Sequence, residues 1–215
     1  MIQVFHRSEA GGHPVNEDAF DVRPLPHDPG GYLCVVADGQ GGRAGGAAAA
    51  KRACEACVAA SLDRTTDQLL RPRTWSRILQ SVDEAVCDDP TAGFTTVVAF
   101  CVTKTSLCGA SNGDSAAVLL TDRPGQILTA RQFKNPPVGS RDATFIPFAA
   151  DLAPPWAVLA MSDGVWKYAG WESILPISPA MPGEEMLASL RSRTSLRGRG
   201  GLQDDFTLVA LLARN

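Results

Sequence analysis

LCVVADGQGG, residues 33–42, runs an apolar strand-like stretch into a carboxylate and then into glycines around a single glutamine. Three readings fit such a lip. It is a tight turn, since Asp and Gly favour turns. It is a nucleotide fingerprint, since Gly39, Gly41 and Ala44 satisfy GxGxxA between a strand and a helix. Or it is a metal site, with Asp38 as an oxygen ligand at a rigid strand end. The nucleotide reading has two faults. Asp38 would repel a pyrophosphate, and the chain after the following helix offers no second strand ending in an acid.

Composition narrows the field. The chain has 215 residues, 45% apolar and 20% charged, with a net charge of -3. That is enough for one sizeable core, and residues 1–215 are expected to form a single domain. The charge balance gives no pull toward nucleic acid or an anionic membrane surface. No apolar run approaches spanning length. The first residues lack the pattern of a signal peptide, so the expected location is cytoplasmic. The six cysteines then read as reduced thiols. Cys54 and Cys57 form a CxxC inside an alanine-rich helical stretch, without a second pair to complete a zinc site.

Apolar runs of strand type occupy residues 2–6, 32–37, 95–103, 107–111, 116–120, 156–161 and 206–212. Asn112-Gly113 reads as a hairpin between two of them. Three helices are expected: residues 45–62, a second starting from Thr74 as N-cap, and residues 183–193. The second carries Trp75, Ile78, Leu79, Val82 and Val86 on one stripe. Strands that follow one another directly favour antiparallel sheets with helices packed outside.

Acids recur at the expected strand ends: Glu17 and Asp18, Asp38, Asp114, Asp163, then Asp204 and Asp205. Each alone is an ordinary turn residue. Together they suit a hard divalent cation, and the lack of His and Cys among them argues against zinc. A serine-hydrolase match at Gly109, Ser111 and Gly113 lacks its context, because all three histidines, His6, His13 and His27, lie upstream.

In order, NEDAF, VVADGQGG, GFTTVVAF, SNGDSAAVLL, VLAMSDGVW and DDFTLVAL resemble the motifs of metal-dependent serine/threonine protein phosphatases of the type 2C (PPM) family, bacterial-like and with a short flap. The resemblance runs from about residue 11 to the last strand. It implies an α+β fold, a four-layer sandwich of two central antiparallel sheets flanked by helices. It implies hydrolysis of phosphoserine and phosphothreonine in proteins by water activated on two Mn2+ or Mg2+ ions, without a phosphoenzyme. Asp38 would bridge the ions beside the Gly39 carbonyl. Asp163 and Asp204 would complete one ion, Glu17 and Asp18 the other, and Asp114 would help hold a looser third. Asp38, Asp163 and Asp204 are thus the catalytic set. Thr95 and Thr96 would support the Asp38 turn, and Asp205 takes the place of a frequent asparagine. The partners implied are a phosphorylated protein and a cognate serine/threonine kinase, with the chain acting as a monomer.

The sequence departs from the pattern at three places. Gln40 stands where eukaryotic members have a histidine acid. His13 stands where an arginine usually grips the substrate phosphate, which makes it the candidate phosphate ligand. Only residues 116–160 separate the Asp114 and Asp163 motifs, so the flap is expected to be short. These departures leave an alternative open: a pseudophosphatase that binds phosphoproteins without turnover. The arginine-rich residues 191–201 read as a solvated loop.

Overall fold

The computed structural model describes residues 1–12, 14–41, 44–196 and 201–214. Along the chain lie β1 (Ile2–Glu9), β2 (Asp18–Leu25), β3 (Asp28–Asp38), α1 (Gly46–Leu62), α2 (Thr66–Leu69), α3 (Pro72–Cys87), β4 (Val97–Val102) and β5 (Ser106–Asn112). There follow β6 (Ala116–Leu120), β7 (Gln126–Ile127), β8 (Ile146–Asp151), β9 (Trp156–Met161), α4 (Asp163–Ala169), α5 (Trp171–Ile174), α6 (Gly183–Thr194) and β10 (Phe206–Ala213). The strands form two antiparallel five-stranded sheets, ordered β1-β10-β9-β6-β7 and β2-β3-β4-β5-β8.

Strand alternation explains the layering. In β3, Leu33, Val35 and Ala37 face α1 and α3, whereas Cys34 and Val36 face the other sheet. In β9, Trp156, Val158 and Ala160 fill the space between the sheets, while Ala157, Leu159 and Met161 meet α4, α5 and α6. Both faces of each central strand are therefore covered, and such strands read as unbroken apolar runs rather than alternating ones. Trp156 is fully buried and donates its indole N–H to the Lys104 carbonyl at 3.0 Å. Truncating a side chain of this size in a core costs about 3–5 kcal/mol.

Two expectations about element ends are corrected. The second long helix starts at Pro72 with Arg71 as N-cap, not at Thr74. Proline at the first helical position lacks only an N–H that would have had no partner, and its φ is already helical. Asn112-Gly113 is not a hairpin, because β5 and β6 belong to different sheets. Gly113 takes φ +109 and the Asn112 amide donates to the Pro136 and Thr144 carbonyls, both at 3.1 Å. The turn thereby passes the chain from one sheet to the other, which the left-handed glycine permits.

Register places the acids. Asp18 pairs with Asp38 across β2 and β3, Val97 pairs with Asn112, and Met161 faces both Ala116 and Leu208. Hence the start of β2, the ends of β3, β5 and β9, and the start of β10 all lie at one end of the sandwich.

Residues 121–155 do not project as a flap. Ile146–Asp151 joins β5 as an edge strand. The loop before it is tied down by the buried Asp83, whose carboxylate accepts the Gly139 N–H at 2.5 Å and the Ala143 N–H at 3.2 Å. The arginine-rich segment is also less loop-like than expected. Arg191 and Arg193 lie in the last turn of α6, and Arg191 pairs with Glu9 at 2.9 Å. Residues 197–200 of that segment lie outside the described residues.

Candidate metal centre

A cavity of about 360 Å³ opens at the acidic end of the sandwich. Glu17, Asp38, Gly39, Gln40, Asp114, Asp163, Asp204 and Asp205 line it, with Thr95, Thr96, Lys134 and Asn135. Asp18 sits behind Asp38 as its cross-strand partner. The structure thus brings together every acid proposed from the sequence. His13 lies outside the described residues.

Asp38 is held by its own backbone. Its N–H donates to Thr96 Oγ1 at 3.0 Å, and its carbonyl accepts from the Thr96 N–H at 2.9 Å and from Thr95 Oγ1 at 2.8 Å. Both threonines therefore do the supporting work expected of them. The next residue must be glycine, because a Cβ at Gly39 would lie 2.4 Å from the Gly46 carbonyl and 2.7 Å from the Glu17 carbonyl. That packing leaves the chain no side chain between Asp38 and the cavity wall. The glycine lets the strand end press against the start of α1 and the Glu17 backbone.

Asp205 has a role that sequence reasoning missed. It is buried, and it accepts the Gly11 N–H at 2.8 Å and the Glu17 N–H at 2.6 Å. It ties the loop that carries Glu17 to the start of β10, so it is not a passive stand-in for asparagine. Asp204 also lines the cavity, with one oxygen accepting the Asp205 N–H at 3.1 Å.

The electrostatics are those of crowded carboxylates. Burial, then the charges of Asp18, Asp163, Asp114 and Asp204, push the Asp38 carboxyl up to about 9. Burial raises Asp18 to about 7; the hydroxyls of Ser162 and Thr207 lie close enough to oppose the rise, and Asp205 and Asp163 add to it. Ser162 Oγ also accepts the Thr207 N–H, and Thr207 Oγ1 pairs with Ser8 Oγ. Neither buried oxygen of Asp18 has a hydrogen-bond partner among the described residues. Polar atoms stranded in this way carry a desolvation penalty that a bound cation would remove.

Two lysines, also missed in the sequence, enter from the far side. Lys134 Nζ lies 2.5 Å from Asp114 Oδ2. Lys167 Nζ hydrogen-bonds Asp163 Oδ2 and stands 3.8 Å from Asp114 Oδ2. Burial disfavours the Lys167 ammonium, yet contact with Asp163 outweighs it and holds Lys167 above its ordinary value. Asp163 itself stays raised, because burial with Asp114 and Asp204 outweighs the lysine. The Lys167 ammonium against Asp163 Oδ2 has the geometry of an ion pair. The signal for Lys167 was available: Asp163 and Lys167 are four residues apart on what proves to be a helix. Among the described residues, no three acids have closed on a single point as a finished ligand shell.

The family model of stage II sporulation protein E (SpoIIE) matches residues 28–214. The chain belongs to the SpoIIE family. None of the curated proteins matches it. Among solved structures, a serine/threonine phosphatase of S. agalactiae superposes with a TM-score of 0.82 at 14% identity, covering 100% of both chains. PstP/Ppp, the Mycobacterium tuberculosis serine/threonine phosphatase, gives 0.78 at 20% identity, covering 100% of this chain and 99% of that one. RsbX, solved in complex with magnesium, gives 0.74 at 15% identity over 98% and 94% of the two chains. This SpoIIE-family chain thus has the α+β fold of bacterial type 2C phosphatases, the architecture its motif order implied.

Proposed function

We propose that this SpoIIE-family chain is a divalent-metal-dependent protein phosphatase acting on phosphoserine and phosphothreonine. The observation that carries the reading is the buried Asp18 carboxylate with both oxygens unpartnered, set behind a cavity lined by Asp38, Asp114, Asp163 and Asp204. An all-oxygen donor set of this kind suits Mg2+ or Mn2+. Asp38 would bridge two ions with the Gly39 carbonyl beside it. Asp163 and Asp204 would serve one ion, Glu17 and Asp18 the other. When bound, such ions supply a water of lowered pKa and neutralise charge developing on a phosphoryl group.

The chain's own residues set the conditions for that chemistry. Thr95 and Thr96 keep Asp38 aimed into the cavity. Asp205 fixes the Glu17 loop. Lys134, with a largely exposed side chain at the rim, brings positive charge toward an incoming phosphate. The described lining holds no Ser, Cys or His, and the Thr95 and Thr96 hydroxyls are committed to Asp38. A water activated on the bound ions would be the nucleophile, without a phosphoenzyme, as the family resemblance implies. The natural substrate is a phosphorylated protein, made by a cognate kinase. Among the described residues no helix is long and apolar enough to cross a membrane.

Release of phosphate from p-nitrophenyl phosphate and from a phosphothreonine peptide tests the reading, with Mn2+, with Mg2+ and with EDTA. Metal-dependent release is expected from both substrates. A folded protein that releases none with either ion overturns the enzyme reading. It would then favour the pseudophosphatase, which Gln40 in the cavity lining and the Lys167 contact with Asp163 support.

A further inference from the structure

The Asp114–Asp163 edge of the cavity already holds a cation, and it is part of the chain. Asp163 opens α4, and Lys167 lies one turn further on the same helix. Residues four apart share a helix face, so the Lys167 stem leads its ammonium back over Asp163. There Nζ meets Asp163 Oδ2 and faces Asp114 Oδ2 at 3.8 Å. The spacing of the two acids is fixed independently of the lysine. The Trp166 indole N–H donates to the Asp114 carbonyl at 2.8 Å, and Trp166 stacks on Trp171 at 5.2 Å. That bond ties the chain between β5 and β6 to α4, so Asp114 cannot drift away from Asp163. The Lys167 ammonium also stands 6.0 Å from the Trp166 ring centroid, where the ring face favours a positive charge.

We infer that Lys167 is a resident cation occupying the position between Asp114 and Asp163 that a further divalent ion would otherwise take. The inference rests on the metal-dependent reading above and deepens it: the two divalent ions would be held by Asp38, Asp18, Glu17, Asp204 and the other oxygen of Asp163, and the Asp114 edge is neutralised by the side chain. A divalent ion bridging Asp114 and Asp163 must displace the ammonium or sit against it, and like charges at this range repel strongly in a partly buried site. Lys134 is a weaker candidate for the same task, because it touches Asp114 alone and its side chain is far more exposed.

The test counts ions. Mn2+ binding to the purified chain is measured by equilibrium dialysis and by titration calorimetry, for wild type and for Lys167→Met, Lys167→Arg and Lys134→Met. Lys167→Met keeps the length of the stem and removes the charge, so it is expected to bind one more Mn2+ per chain than wild type. Lys167→Arg keeps the charge and is expected to bind the wild-type number. Lys134→Met is expected to bind the wild-type number too, since Lys167 remains. Removing one charge at this distance should tighten the added site by about tenfold or more relative to any residual binding there in wild type. The inference is overturned if Lys167→Met and wild type bind equal numbers with equal affinity, or if Lys134→Met alone opens the extra site. A wild type that binds Mn2+ and hydrolyses phosphoester while Lys167→Met gains no ion removes this inference and leaves the phosphatase reading standing. A folded wild type that binds no Mn2+ removes both.

Discussion

The two halves of the acidic cavity solve the same problem in opposite ways. On one side, Asp38 and Asp18 are half-buried with no cation near them among the described residues, and their carboxyls are pushed up to about 9 and about 7. On the other, Asp114 and Asp163 meet the ammoniums of Lys134 and Lys167. Burial penalises a lone charge heavily, and a protein either pairs it or neutralises it. The lysine half is paired in advance, whereas the Asp38 half has its charge balanced only when something binds. The difference separates a half whose charge waits on bound ions from an edge, Asp114 with one oxygen of Asp163, that carries its own cation.

Asp38→Asn and Asp163→Asn are expected to act most differently on the two halves. Asp38→Asn removes the charge that would bridge the ions, so turnover should fall by about 10³-fold or more, equal to at least about 4 kcal/mol of barrier. The same change relieves repulsion in the metal-free protein and should raise its melting temperature at pH 8. Asp163→Asn should also lose most activity, but it strips Lys167 of its partner and should lower metal-free stability. Calorimetry on both variants in EDTA checks this. A matching rise in both would mean the halves are not electrostatically different.

The pH dependence of metal-free stability tests the Asp38 half alone. Carboxyls with raised folded-state values bind more protons folded than unfolded between their ordinary range and the raised value. Stability contributed this way is present below about pH 4 and is lost as pH rises. Asp18 then contributes a decline up to about 7, and Asp38 one up to about 9. Across that window the melting temperature in EDTA should fall by on the order of 10 °C. Saturating Mn2+ should reverse the slope, because the ions favour the charged carboxylates. A flat profile in EDTA would show that both acids are already neutralised by a partner.

Asp205 tests how the ion-receiving half is held together. Asp205→Ala leaves the Gly11 and Glu17 N–H groups without their acceptor, the first in a buried setting and the second in a part-buried one. About 1–3 kcal/mol of stability should be lost per stranded donor, read from urea unfolding. Mn2+ affinity should weaken too, because the Glu17 loop is no longer fixed. Unchanged stability would mean the loop is anchored elsewhere.

Much of this layout was legible beforehand, and the exceptions share a cause. Long apolar runs such as 156–161 and 206–212 announce strands covered on both faces. The acids at their ends announce the site. What escaped were features created by tertiary placement. The edge strand Ile146–Asp151 has an alternating intermediate and exposed pattern with one buried residue, too little apolar content to stand out. The helix at Asp163–Ala169 is only seven residues long, too short for a periodicity, so the Asp163–Lys167 pairing stayed hidden. Asp205 and Asp204 are neighbours of identical type, and only the fold says that it is Asp205 that holds the Gly11 and Glu17 amides. Asn112-Gly113 reads as a hairpin and proves to be a left-handed turn between sheets, since local sequence marks a turn but not which sheet receives the next strand.

Ser111 gives the smallest expected effect and guards the whole comparison. It lies on β5, three residues before Asp114, at the centre of the GxSxG match. In a serine hydrolase that residue would be exposed at a strand-to-helix elbow. Here it is fully buried in mid-sheet, paired with Val98 and Ile146, and its hydroxyl has no partner among the described residues. An unpartnered buried hydroxyl contributes a desolvation penalty, and alanine removes it with little change in volume. Ser111→Ala should therefore leave metal-dependent turnover within about twofold and stability within about 1 kcal/mol, with the sign toward stabilisation. Phosphate release with Mn2+, alongside urea unfolding, measures both. Loss of turnover in a folded Ser111→Ala protein would place a nucleophile where the structure buries one. The acids would then be bystanders, and the contrast between the two halves of the cavity would say nothing about catalysis.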